Sequence, residues 1–314
     1  MPPKRPPPLP KSLFVGTGPL APGSATLPPS PTTIHPSFII DSHSFVTSHE
    51  PTPDPIYHGL KAEYPRPPVK HAVQVKMNVS AEPAQSVLGV KPFSIHPTIL
   101  NLALATPPSV TNIAKGAVDI IVPSTVPLTE KDWDLLDEAV DALDGCWGHK
   151  DEGKEPRGRI VISGLLLPPL TTPSSFLIHS EAYNLHLARL ASLSLHPNVY
   201  LKALPPVVDA ALLKKDGSPA WWTNRPELER VMRMYIAHAI ETFGTHRIIF
   251  GSSSALPLYD LERVSHTVNE LEQPISNGEW YSVLRKCVTE LGEGLEETTG
   301  IFGENAKAVY DFSC

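Results

Sequence analysis

The residues that could do chemistry here are few and mostly solitary. The apolar run Phe38-Ile39-Ile40 ends on Asp41 and is followed two residues later by His43. A carboxylate in that place could orient the imidazole for acid/base work; it could equally cap a strand-to-loop turn beside a hydrogen-bonded structural histidine. Lys202 closes another apolar stretch, Val199 to Lys202, where its ammonium could hold a substrate carboxylate or complete a structural ion pair. Ser252-Ser253-Ser254 offers hydroxyls, but no G-x-S-x-G elbow surrounds them and no Asp and His follow in order, so serine nucleophilicity is not indicated. Trp221-Trp222, in a predicted loop, could roof a pocket or anchor the loop to its scaffold. His71, His96, His179, His186, His196, His238 and His266 are scattered singly, and none belongs to an H-E-x-x-H helix.

Positioning such residues requires a regular scaffold, and the hydrophobic pattern supplies one. Short apolar segments at Phe38 to Asp41, Ala72 to Val79, Ile99 to Leu104, Val118 to Val122, Arg159 to Ser163, Val199 to Lys202 and Arg247 to Phe250 read as seven buried strands. Helical patterns alternate with them. Thr129 opens one as an N-cap candidate, with Trp133, Leu136, Val140 and Leu143 on one face; others run from Phe176 to Leu195 and from Arg225 to Phe243. Strands alternating with helices predict a parallel sheet with helical crossovers. No strand is followed by a G-x-G-x-x-G or G-x-x-x-x-G-K-[ST] turn, which favours an α/β barrel over an open doubly wound sheet.

Composition narrows the partners. The 314 residues carry a net charge of -7, and no basic stripe interleaves with aromatics, so nucleic acid is not expected. No window reaches the roughly 18 apolar residues of a membrane span, and no membrane association is expected. Cys146, Cys287 and Cys314 lie far apart, which suits a reducing, intracellular compartment. The cytoplasm is preferred over the mitochondrion, because the prolines near the start oppose an amphipathic transit helix. Of 36 prolines, against about 16 at average usage, many crowd the first quarter. Residues 1–36 are accordingly read as a disordered Pro-rich tail, and residues 37–314 as one folded domain.

Five segments, in order, carry a resemblance. Ile40-Asp41-Ser42-His43-Ser44-Phe45 stands beside I-D-x-H-x-H, and Arg159-Ile160-Val161-Ile162-Ser163-Gly164 beside R-x-V-x-D-H. Pro197-Asn198-Val199-Tyr200-Leu201-Lys202 matches P-N-V-Y-x-K, Arg247-Ile248-Ile249-Phe250-Gly251-Ser252-Ser253 matches R-x-x-F-G-S-D, and the stretch Phe302 to Tyr310 matches F-G-x-N-A-x-x-x-Y. Together they resemble the amidohydrolase-related family, in particular its lactonase-like branch. The resemblance implies a (β/α)8 TIM-type barrel, with irregularities allowed, whose site gathers at the C-terminal ends of the strands.

It also implies where that site has changed. Phe45 stands in place of the second histidine of the x-H-x-H pair, Ser163-Gly164 in place of Asp-His, and Ser253 in place of the last aspartate. One imidazole is left of a usual metal set. The expectation is therefore a hydrolase of cyclic esters or related carbonyl substrates with a degenerate, metal-free site, or alternatively an inactive pseudoenzyme barrel kept for binding or scaffolding. His43, Lys202 and Asp41 are the catalytic candidates, with Trp221, Trp222 and Ser253 lining the place of a small-molecule substrate. No metal ligands and no cofactor are assigned.

Overall fold

The computed structural model describes residues 30, 33–36, 38–44, 71–76, 91–93, 98–101, 117–122, 127–146, 158–209, 219–252, 271–272 and 274–310. Ser253, Phe45, residues 1–29 and the distal parts of two predicted strands, 77–79 and 102–104, lie outside them.

Eight strands pair in parallel among the described residues. One sheet has the order β1 (Phe38–Ser44), β2 (His71–Lys76), β3 (Lys91–Phe93). The other has the order β4 (Thr98–Asn101), β5 (Ala117–Ile121), β6 (Arg159–Ser163), β7 (Val199–Ala203), β9 (Ile248–Phe250). Between β7 and β9 the chain adds β8 (Val208–Asp209), which pairs antiparallel with β10 (Leu271–Glu272). β9 abuts β1: the Ser42 hydroxyl donates to the Phe250 carbonyl at 2.7 Å. The eight strands therefore follow one another in sequence order, the order a barrel uses.

The strands read as near-continuous apolar runs because both faces are covered. Val118, Ile120, Ile160, Ile162, Leu201, Ile248 and Phe250 are buried in a large outer core. It is shared with α1 (Glu130–Cys146), α3 (Glu181–Leu193), α4 (Arg225–Phe243) and α5 (Asn277–Glu290). Trp133, Leu136, Val140 and Leu143 of α1 are all buried in it, on the face that the sequence pattern marks. Residues of the opposite parity point inward. Ile40, Val161 and Ile249 form a second cluster with Ala306, Val309 and Tyr310. These last three come from α7 (Asn305–Tyr310), reached through α6 (Leu295–Thr299) and a π-helical turn at Gly300–Glu304.

Local chemistry explains several boundaries. The predicted helix from Phe176 to Leu195 is two helices, α2 (Ser174–Leu177) and α3, because Ser180 takes an extended backbone and its hydroxyl accepts the Tyr183 amide. α4 stops at Gly244, whose φ of +71° suits a residue without Cβ; an added Cβ would lie 2.7 Å from the His246 ring. α5 opens with a capping box between Ser276 and Glu279. Within the stretch read as tail, Ile34 is buried, its carbonyl accepts from Arg285 at 3.1 Å, and the His35 ring lies 3.1 Å from the Tyr281 hydroxyl. Ile34 and His35 are thus held by α5. No helix among the described residues is long and apolar enough to cross a membrane.

Candidate functional site

Polar residues on the inner face converge where β1 meets β9 and faces β5 and β7. β1 begins apolar with Ile39 and Ile40, then continues with Asp41, Ser42 and His43, all with no solvent exposure. Its register against β2 shifts between Asp41 and Ser44, a bulge-like irregularity of the kind that re-aims side chains at strand ends. Asp41 Oδ1 accepts from the Ser252 amide at 2.8 Å and the His43 amide at 3.2 Å, while Oδ2 accepts from the Ser252 hydroxyl at 2.6 Å. Through these bonds the aspartate ties the turn after β9 to the end of β1. Gly251 makes that approach feasible, since a Cβ there would come within 2.6 Å of both His43 Cβ and Leu204 Cδ2. His43 is packed directly beneath this contact.

Lys202 reaches inward from β7 and is fully buried. Its Nζ donates to Asp119 Oδ2 at 2.6 Å and to the Ser42 carbonyl at 2.9 Å. The Tyr310 hydroxyl donates to the other Asp119 oxygen at 2.9 Å, and its ring lies 5.5 Å from the ammonium. Burial pushes the Lys202 amine below the usual lysine range, with the carboxylates of Asp119 and Asp41 pulling it back up. Burial first, and then the charge of Asp119, push the Tyr310 phenol well above its ordinary value, so that it stays a donor. One ammonium thus links β7, β5 and β1, and the last helical turn of α7 is bonded to the same carboxylate.

Asp119 and Tyr310 were not singled out in the sequence, although a signal for the first was present. Ala117-Val118-Asp119-Ile120-Ile121 sets one charge in the middle of an apolar strand, and a buried charge has to be paired. Its partners lie 83 and 191 residues away. In the serine run, Ser252 is the residue that meets Asp41, and Ser253 lies outside the described residues. Trp221 and Trp222 form a 3-10 turn before α4, their rings perpendicular at 5.9 Å. Trp222 is buried and Trp221 half-buried, both packed on the outer core, which is the anchoring role. The buried Trp221 Nε1 and Ser163 Oγ have no hydrogen-bond partner among the described residues.

Among the described residues the donor set does not fit a divalent metal. Both oxygens of Asp41 accept from N–H or O–H groups, and both oxygens of Asp119 accept from an ammonium and a phenol. Gly164 brings no side chain to the end of β6. Among the described residues no three His, Cys, Asp or Glu side chains are grouped to hold a metal ion. Among the described residues, three other histidines pack in the helical layer: His196 is 3.1 Å from Asp144, His238 is 2.9 Å from the Leu187 carbonyl, and His186 is buried between Trp133 and Tyr235.

No family model matches the chain, and no curated protein matches it. Among solved structures it is similar to a zinc-bound amidohydrolase from Burkholderia multivorans, with 16% identity and a TM-score of 0.40 over 63% of this chain and 53% of that one. The chain thus spans about half the length of that protein. It is also similar to a probable 2-pyrone-4,6-dicarboxylic acid hydrolase from Acinetobacter baumannii, with 12% identity and a TM-score of 0.43 over 87% of this chain and 99% of that one. A third is amidohydrolase 2 from Bifidobacterium longum subsp. infantis, with 15% identity and a TM-score of 0.38 over 88% and 99%. The chain is an α/β protein with a parallel sheet, structurally similar to amidohydrolases at a distance where the likeness assigns neither an activity nor a ligand.

Proposed function

We propose that the chain closes into an amidohydrolase-like (β/α)8 barrel that binds a small carbonyl- or carboxylate-bearing molecule at its strand ends without metal-dependent turnover. The observation that carries this reading is the internal use of the acid/base groups. Lys202 and Asp41 are fully buried, and their polar atoms are spent on Asp119, Ser42, Ser252 and the His43 amide. A general acid or base must lie within hydrogen-bond reach of the proton it moves, and these two face protein. Ligand contacts fall instead to Ser163 and Ser253, at the ends of the strands that the motifs mark.

A second reading, hydrolysis of a cyclic ester by a metal-free site, is favoured by His43, which stands at the end of β1 next to Asp41. The experiment is hydrolysis of a panel of sugar lactones and aryl esters by the wild type, His43→Ala, Lys202→Ala and Ser253→Ala, with thermal shift on the same compounds. The binding reading expects a compound that raises the unfolding midpoint with a hydrolysis rate equal to that of buffer. Turnover that is lost in a folded His43→Ala variant would establish the second reading in its place, and turnover lost only in Ser253→Ala would move the chemistry to the serine.

A further inference from the structure

We infer that the Lys202 ammonium is the resident cation of the inner face, binding together buried groups from β1, β5 and α7 as a strand-ligated metal would. Asp119 stands on this face and Asp41 near the end of β1, both with no exposure to solvent. A buried charge persists only when it is paired and hydrogen-bonded. Asp41 accepts from two amides and a hydroxyl. Asp119 is held by the Lys202 ammonium at 2.6 Å and the Tyr310 hydroxyl at 2.9 Å.

The same ammonium also takes the Ser42 carbonyl at 2.9 Å, from the strand that bears Asp41. A carboxylate from one strand and a backbone carbonyl from another are oxygen donors that a hard cation would accept. Here they surround a nitrogen that arrives on a covalent tether from β7, so the cation cannot dissociate.

The test uses the full chain in four forms: wild type, Lys202→Met, Asp119→Asn and the double variant. Lys202→Met keeps the stem and removes the charge, stranding Asp119, and should lower the thermal midpoint by about 10 °C. Adding Asp119→Asn should recover at least half of that loss, because the two charges are then removed together. Strictly additive losses would overturn the proposal, since they would mean that Lys202 contributes packing and not charge. A second measurement needs only the wild type. At neutral pH a nitrogen-15 spectrum of the lysine side chains should show one slowly exchanging ammonium signal, protected by burial. Absence of any protected ammonium, or a neutral amine in its place, would also overturn it.

Discussion

His186 lies edge-on between the rings of Trp133 and Tyr235, at centroid distances of 5.7 and 5.2 Å. Burial, and then the neighbouring charge of His238, push its imidazole from 6.5 down to about 3. The unfolded chain therefore takes up a proton near pH 6.5 and the folded one only near pH 3. Stability from the neutral ring is complete above 6.5 and is lost as the pH falls toward 3, at about 1.4 kcal/mol per pH unit. His186→Phe keeps an aromatic ring and removes the proton site, so its stability loss between pH 7 and pH 5 should be smaller than that of the wild type by about 2 kcal/mol. Urea unfolding at the two pH values checks this; parallel losses in both proteins would assign the acid sensitivity elsewhere. Asp41, His43 and Lys202 were visible in the sequence as polar endings of apolar runs. What each of them touches was not, because Asp119, Ser252 and Tyr310 meet them across 83 to 211 residues, and local spacing says nothing about such distances.

Elements with strong local signals were legible. The face of α1, the bounds of β6 and the extent of α4 follow from periodicity; the break before α3, set by one hydroxyl at Ser180, was not read from it. β3 was missed because its three residues contain Pro92, and proline argues against a strand in a sheet interior. The C-terminal segment was also readable, as an apolar stripe with Asn305 inside it. Asn305 Nδ2 donates to the Thr245 and Ile248 carbonyls at 2.8 Å each, fixing the start of β9. Phe302 is fully buried against Phe250 and Tyr281, at 4.9 and 5.1 Å between centroids. Phe302→Ala should cost about 3 to 5 kcal/mol in denaturant unfolding; wild-type stability would show that the π-helical turn is not part of the core. For α5, Ser276→Ala should cost about 1 kcal/mol by breaking the capping box, read from the same unfolding curves, and a neutral result would place the helix's stability in its buried face alone.

The whole molecule joins two parallel sheets along β1 and β9, and the strand order, though not the side-by-side contact, could be read from the alternation of strands and helices. At the start of the chain, Ile34 and His35 are strapped to α5 through Arg285 and Tyr281. Deleting residues 1–29, which hold no core-forming pattern, should leave the thermal midpoint unchanged, whereas deletion through Pro36 should lower it by several degrees; equal midpoints would mean that the strap bears no load. The central claim concerns the inner face: Lys202 and Asp119 satisfy one another there, and among the described residues no set of ligands is grouped for a dication. Catalytic zinc takes about three protein ligands from His, Asp, Glu or Cys, and the positions that the motifs mark for them carry His43, Phe45, Gly164 and Ser253. Elemental analysis of the full chain, purified without chelator and without a histidine tag, is the most direct test. The account predicts far less than one equivalent of any transition metal per chain; about one equivalent of zinc or manganese, lost in His43→Ala, would contradict it.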